Sequence, residues 1–476
     1  MVLNIAFFAS GYNGHTCVQK DKLVQFVKDL LQVEEEAITN SLINLNVKKE
    51  IVLESQERGI ELVYLYPYYM AELSIAEKLI RLRDSENNKE IKKFKQELKK
   101  LEKESSMELS DKQKEALELV NEENVCIITG GPGTGKTTVI KSIIELYEAH
   151  SKKVVLCAPT GRAAKRMTEA TGKEAKTLHR LLEIGKIEEE VSKNMEHDVA
   201  PIDADIIIVD EVSMVDVFLM NYLVKAIYKG TKLILVGDAD QLPSVGPGSI
   251  LKDMIESGEI ATIHLDKIFR QAAKSKIIVN AHRVNEGEPF LTKEEAEGME
   301  SNEDFFYIRP NTQEEMLYEV LTLSSKRLSK FGDYDFFTNI QVLSPTKKGS
   351  LGTKELNKAL QETLNPPSDF KREKNSMGVI FREQDKIMQI RNNYDIYWEK
   401  KEPEYEYGSG VFNGEMGTIE TIDEIEKQVK IRFDDDKEAW YAFSDLDQIE
   451  HAYAITIHKA QRKWIWCCYY GSTTIF

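Results

Sequence analysis

Apolar residues along the chain recur in two rhythms, and the rhythm changes several times. Over residues 21–31 and 35–45 they return every three to four positions, the spacing of an amphipathic helix. Residues 51–53 and 61–66 read as short β runs, the second closed by Pro67. Helices followed by such a pair predict a small helical or winged-helix-like domain over residues 1–80. Residues 83–105 turn Lys/Glu-rich, with Ile91, Phe94, Leu98 and Leu101 at helical spacing. That predicts a connecting helix within residues 81–108, its charged face solvated. From Leu109 onward the β runs 125–129, 154–158, 206–210 and 233–237 alternate with helical stretches, the signature of a mostly parallel sheet wrapped by helices. A second series begins near Ala261 and includes residues 340–344. Short strands dominate residues 379–450, with turn signals at Asn392 with Asn393 and Asn413 with Gly414, and predict a small β-barrel insert.

A length of 476 residues accommodates about three domains. Fractions of 42% hydrophobic and 30% charged exclude a wholly disordered chain and a polytopic membrane protein. With 63 Lys and Arg against 80 Asp and Glu, the net charge of −17 excludes a bulk positive coat for nucleic acid but leaves room for a local basic groove. The cysteines, at positions 17, 126, 157, 467 and 468, form no zinc or disulfide framework. The apolar opening at residues 2–9 has no basic segment before it, so it reads as a buried strand or helix start and not a secretory signal. No apolar run approaches the ~18 residues of a membrane span, so the chain is expected to be cytoplasmic, with no membrane partner.

Three strand ends carry candidate chemistry. Gly130, Gly131, Pro132, Gly133, Thr134, Gly135, Lys136 and Thr137 fit GxxxxGK[ST] between a strand and a helix that continues from Thr138. Glycines let backbone N–H groups approach phosphate oxygens, and the helix N-terminus adds positive partial charge. Lys136 is placed to reach the β- and γ-phosphates and Thr137 to hold Mg²⁺. The apolar run 206–209 ends in Asp210 and Glu211, at the strand end where open α/β sheets bind ligands. Asp210 fits a Mg²⁺ carboxylate and Glu211 the group that activates water. Together these motifs imply phosphoryl transfer from ATP or GTP to water. A third run, 235–243, ends in a polar segment where Gln241 is either a γ-phosphate sensor or part of a turn closed by Pro243.

Over residues 14–461 the motifs resemble those of superfamily-one helicases, most closely the bacterial RecD-like ATP-dependent DNA helicases. The residues that carry the likeness are the segments 109–116, 158–167, 177–182, 209–216, 237–248 and 268–271, then 342–349, 352–357, 385–394, 411–417 and 454–461. The resemblance implies an α/β fold of two RecA-like P-loop motor domains, parallel sheets with helices. The first covers 109–260, with a pin insert at about 183–203; the second covers 261–378 and 451–476, interrupted by an SH3-like insert at 379–450. It implies that Gln113 reads adenine, so the nucleotide is ATP, with Mg²⁺. It makes Arg270 an arginine finger and links Gln461 to the nucleotide. It assigns Thr160, Arg162, Thr177, His179, Thr346, Asn413, Thr456, His458 and Lys459 to DNA. Activity, by the same likeness, is translocation 5′ to 3′ on single-stranded DNA and unwinding of a duplex with a 5′ overhang, in DNA repair. Alternatives are an ATP-responsive single-stranded-DNA-binding protein and the helicase subunit of a helicase–nuclease complex.

The likeness breaks at both ends. After Gln461 the chain reads Arg462, Lys463, Trp464, Ile465, Trp466, Cys467, Cys468, where the family continues differently and ends in a motif with a second phosphate-contacting arginine. Longer members also carry further domains before the position of Gly14. The expectation is a chain shortened at both ends, with impaired hydrolysis and a second motor sheet lacking its final strand.

Overall fold

The computed structural model describes residues 14–56, 59–86, 89–105, 108–184, 199–244, 246–267, 274–292, 295, 304–308, 310–331, 334–401, 405–434, 436–460 and 467–470. The chain forms two compact units, residues 1–306 and 307–476.

In the first unit, strand β1 (Cys17–Gln19) precedes helices Lys20–Leu31 and Glu35–Val47, then β2 (Ile51–Ser55) and β3 (Glu61–Leu65). The strands form an antiparallel sheet ordered β1-β3-β2. Leu23, Val24, Val27, Ile38, Leu42, Ile51 and Val63 bury together between it and the helices. The next helix, Tyr66–Arg83, carries Pro67 in its first turn, where a missing N–H is tolerated. It leaves this small core: Ala71, Ile75, Leu79 and Leu82 pack on one face of the large sheet that follows. A domain ending at residue 80 therefore cuts through a helix that belongs by packing to the next core. Ile91, Phe94 and Leu98 bury against the opposite face of the same sheet. Helix Phe94–Ser105 is thus packed along its apolar stripe, not a free connector.

The large sheet contains β4 (Val125–Gly130), β5 (Val154–Ala158), β6 (Ala175–Thr177), β7 (Ile206–Val209), β8 (Lys232–Gly237) and β9 (Ala261–Leu265). All pairings are parallel, in the order β6-β5-β7-β8-β4-β9. Alternate residues serve opposite faces, as strand geometry requires. Ile207, Val209, Leu233 and Leu235 enter one core. Ile206, Ile208, Ile234 and Val236 enter the other. Two covered faces explain why these strands read as continuous apolar runs. β9 corrects the sequence-based boundary at 260/261: it pairs with β4, from Cys126 opposite Ala261 to Gly130 opposite Leu265, and completes the first sheet.

In the second unit, β10 (Ile340–Ser344) is followed by helix Thr353–Leu364 and a hairpin of β11 (Glu373–Ser376) and β12 (Val379–Arg382). Next come β13 (Lys386–Gln389), β14 (Asn393–Lys400), β15 (Glu406–Val411), β16 (Met416–Asp423), β17 (Gln428–Phe433), β18 (Glu438–Ala442) and β19 (Ile449–His451). They form a seven-stranded antiparallel sheet with its own core, Ile419, Ile422, Val429, Ile431 and Tyr441 among them. The chain returns through β20 (Ala454–Thr456) and helix Ile457–Ala460 to β21 (Cys467–Tyr470). Both β20 and β21 pair in parallel with β10. The expected open edge is therefore corrected: backbone 467–470, at the point where the family likeness fails, covers the far side of β10.

Candidate nucleotide and nucleic-acid site

The parallel sheet of the first unit brings its candidate residues to one edge, because every strand runs the same way and ends there. β4 delivers the loop that starts at Gly130. Gly133 and Gly135 have φ of 78° and 85°, a left-handed backbone that other residues adopt only at a cost. A Cβ on Gly130 would lie 2.6 Å from the Leu265 carbonyl oxygen, so β9 passes too close for any side chain. Thr134 Oγ1 donates to the Gly131 carbonyl at 2.8 Å and braces the loop. Lys136 opens helix Lys136–Ala149 and folds back across the loop, its Nζ donating to the carbonyls of Gly130 and Gly131. Thr137 stands exposed on the same first turn, followed by Thr138.

Gln113 reaches the loop through a capping box. Its Oε1 accepts from the Ser110 N–H at 3.0 Å, and its backbone N–H donates to Ser110 Oγ. Its Nε2 donates to the Gly135 carbonyl at 3.4 Å, and the residue is only 1% exposed. The carboxamide is thus engaged with the helix start and the loop backbone.

β7 delivers Asp210 and Glu211. Asp210 Oδ1 accepts from the Glu211 N–H at 2.9 Å. Burial raises the Asp210 pKa, against the pull of Lys136 and Arg166. Burial also raises that of Glu211, helped by the Asp210 charge and opposed by Lys136 and Arg166. Lys136 therefore acts on both carboxylates although it arrives on a different strand. Glu211 has a φ of 55°, and a non-glycine residue held there is a feature that concentrates at working sites. β8 lies between β7 and β4 and delivers Gln241. Gln241 Nε2 donates to Asp238 Oδ2 at 3.3 Å, and Ser213 Oγ donates to Gln241 Oε1 at 3.5 Å. The Ala239 N–H donates to Thr129 Oγ1, which ties this segment to the base of the phosphate loop.

Along the same edge, beyond β7, Thr160 and Thr177 cap helices Gly161–Thr171 and Leu178–Leu181, accepting from the N–H groups of Ala163 and Arg180. They are neighbours because β5 pairs with β6, Ala158 opposite Thr177. Arg162 lies on the first turn after Thr160 and His179 on that after Thr177. In the second unit, Ser344 pairs with Thr456, which brings the segments of Thr346 and His458 to one edge of the three-stranded sheet. Thr456 Oγ1 accepts from the Lys459 N–H, and the Lys459 ammonium pairs with Glu450. Asn413 lies apart from these, on the turn between β15 and β16. Arg270 and Gln461 lie outside the described residues, as does most of the expected pin, 185–198.

Two residues that sequence reasoning passed over also reach the site. Arg166 Nη1 lies 4.0 Å from Glu211 Oε1. His282, on helix Lys276–Asn285, sits against the phosphate loop, its Nε2 3.4 Å from the Pro132 carbonyl oxygen. A Cβ on Gly131 would meet the His282 ring at 2.7 Å. Nothing in the spacing of either residue announces a contact made across separate elements.

Among the described residues, no group of three or more His, Cys, Asp and Glu is placed to hold a metal by itself. Thr137 and Asp210 nonetheless supply the hard oxygen donors that suit Mg²⁺ shared with phosphates. No described helix is long and apolar enough to cross a membrane.

A family model described as an AAA domain matches residues 113–247. A second, described as the ATP-dependent RecD-like DNA helicase SH3 domain, matches residues 356–433. The ATP-dependent RecD2 DNA helicase of Deinococcus radiodurans is 32% identical over 354 residues, 74% of this chain and 44% of that protein. The chain is similar to RecD helicases over most of its length. The RecBCD enzyme subunit RecD of Buchnera aphidicola subsp. Schizaphis graminum is 26% identical to it over 462 residues, covering 84% of this chain and 73% of that subunit. The solved Pif1 helicase of Candida albicans aligns with 75% of the RecD-like chain and 86% of its own, at 18% identity and a TM-score of 0.39. The RecD-like chain spans less than half the length of the Deinococcus protein, 44%. Its six parallel strands around a phosphate loop are those of a P-loop fold, and the match at residues 356–433 falls on the antiparallel strands of the second unit.

Proposed function

We propose that this chain is an ATP-driven DNA helicase motor that hydrolyses ATP and moves 5′ to 3′ along single-stranded DNA. The observation that carries the reading is the convergence, at one edge of one parallel sheet, of the phosphate loop, the Asp210 and Glu211 carboxylates, and the cap residues Thr160 and Thr177. In this reading the loop's N–H groups and the Lys136 ammonium bind the phosphates, while Thr137 and Asp210 hold Mg²⁺. When bound, Mg²⁺ would supply positive charge to offset that of the phosphates. Glu211 takes a proton from the attacking water. Gln241 stands between the phosphate loop and the Glu211 segment and reports the γ-phosphate to both. Arg270 and Gln461 complete the reading as the finger and the nucleotide link. DNA is held through its phosphates by Thr160, Arg162, Thr177, His179, Thr346, Asn413, Thr456, His458 and Lys459. Different affinity for the strand in the ATP-bound and released states turns hydrolysis into movement.

The test is ATP hydrolysis with and without a poly-dT oligonucleotide, beside a Lys136→Ala control. Stimulation by the oligonucleotide, reduced about 10²–10³-fold in the control, supports the reading. Nucleotide-dependent DNA affinity without turnover would point instead to an ATP-responsive single-stranded-DNA-binding protein.

A further inference from the structure

Helix Gly161–Thr171 has one end at the candidate strand-binding edge and a side chain on the catalytic carboxylate. Its N-terminus is set by Thr160, whose hydroxyl accepts from the Ala163 N–H at 3.2 Å and whose carbonyl accepts from the Ala164 N–H at 3.0 Å. Six residues further, about 9 Å along the axis, Arg166 extends to Glu211. Flanking Arg166 on the same helix, Ala164 and Met167 are buried, at 4% and 3% exposure, so the helix body is packed against its neighbours. The other partner is equally constrained. The left-handed φ of Glu211 and the bond from its N–H to Asp210 fix the backbone from which its carboxylate extends.

The pair contributes little to holding the fold together. The Arg166 side chain is 53% exposed and that of Glu211 24%, and a 4.0 Å contact at that exposure is strongly screened by solvent. Its location gives it another role. A guanidinium beside a carboxylate competes for the oxygen lone pairs that a general base needs free to accept a proton from water.

We propose that Arg166 is a latch on the catalytic base. Without a bound strand it holds the Glu211 carboxylate aside, and strand binding at the N-terminal turn of helix Gly161–Thr171 draws Arg166 away and frees it. The inference rests on the proposed function for the roles of Glu211 and of the Thr160 edge. It makes Arg166 a positioning residue, acting through Glu211, and it gives hydrolysis a built-in dependence on DNA. Coupling between two sites is reciprocal. If strand binding opens the latch, breaking the latch must tighten strand binding.

That reciprocity supplies the test, with the nucleotide-free full chain and the fluorescence anisotropy of a labelled poly-dT oligonucleotide. Wild type, Glu211→Gln, Arg166→Gln and the double variant form a cycle. Glu211→Gln is expected to tighten binding about 2- to 5-fold in the wild-type background and to have no effect in the Arg166→Gln background. An equal gain in both backgrounds reports only the removal of a negative charge and overturns the latch. In parallel, Arg166→Gln is expected to raise DNA-free ATP turnover several-fold while leaving the DNA-saturated rate in place, so the stimulation ratio falls. An unchanged ratio overturns the proposal. A wild type that neither binds poly-dT nor hydrolyses ATP sinks the proposed function and the latch with it. A wild type that does both, with an uncoupled cycle, sinks the latch alone.

Discussion

Single residues at the sheet edge are held by neighbours that are distant in sequence, and this decides what each substitution does. Glu211→Gln keeps the shape of the side chain and removes its basicity. Turnover is expected to fall about 10²–10⁴-fold with nucleotide binding retained, which a fluorescent ATP analogue and a turnover assay separate. Gly130→Ala is expected to disturb the fold as well as the site, because its Cβ would meet the Leu265 backbone carbonyl at 2.6 Å as well as Thr134 Oγ1 at 2.8 Å. The loss is about 1–3 kcal/mol, read from urea unfolding. Lys232 makes a different point. It is fully buried in β8, and its ammonium donates to the carbonyls of Val120, Asn121 and Glu123 at the end of helix Asp111–Glu122. Those carbonyls have no intrahelical partner, and the lysine satisfies them. Burial lowers its pKa from 10.5 to about 8. Between those values the unfolded chain binds more protons than the folded one, so raising the pH favours folding through this group. The stability of wild type relative to Lys232→Met is therefore expected to increase from about pH 7.5 to about pH 9.5, as urea unfolding at both pH values would show. A gap that stays constant or shrinks argues against that burial cost. A lysine at the start of an apolar strand reads in the sequence as a solvent-facing entry residue. Only the helix end stacked above it makes it a cap.

At the scale of elements, one buried carboxylate gathers groups from several elements of the second unit. Asp385, with no exposed surface, accepts from Asn365 Nδ2 and Tyr453 Oη at 2.8 Å, and from Gln361 Nε2 and the Arg382 N–H at 2.7 Å. His451 Nε2 lies 3.0 Å from it. The partners come from helix Thr353–Leu364 and its end, from β12, and from the chain at β19 and just before β20. Asp385→Ala leaves these groups buried without their acceptor and is expected to destabilise the second unit by about 3–5 kcal/mol. Calorimetry or denaturant unfolding of the full chain reads it, and a shift under 1 kcal/mol would refute the hub. Strands and helices themselves were largely legible. The runs 125–129, 154–158 and 340–344 match their strands to within a residue, because strands buried on both faces leave an unbroken apolar record. The boundary at Ala261 misled for the same reason: β9 is apolar in either sheet, and nothing local to it says which one it joins.

For the whole molecule, the proposed function asks how a chain with a net charge of −17 would grip a polyanion. Its answer must be local, since the total repels. Single-strand affinity is expected to weaken about tenfold or more between 50 and 200 mM salt, as a few phosphate contacts dictate. A flat salt response in anisotropy would contradict a phosphate grip. What the sequence determined alone is the chemistry that local spacing encodes: a glycine-rich loop between strand and helix, and two carboxylates closing an apolar run. Each needs only neighbours a few residues away, so each is written in order along the chain. Tertiary structure decided the rest. It set β9 beside β4, brought Arg166 to Glu211 and His282 to Pro132, buried Gln113 against Gly135, and gave residues 467–470 a strand to pair with. Those contacts depend on which strands lie side by side and how helices cross above them. Burial and hydrogen bonding over the whole core settle that order, and no single stretch of sequence carries it.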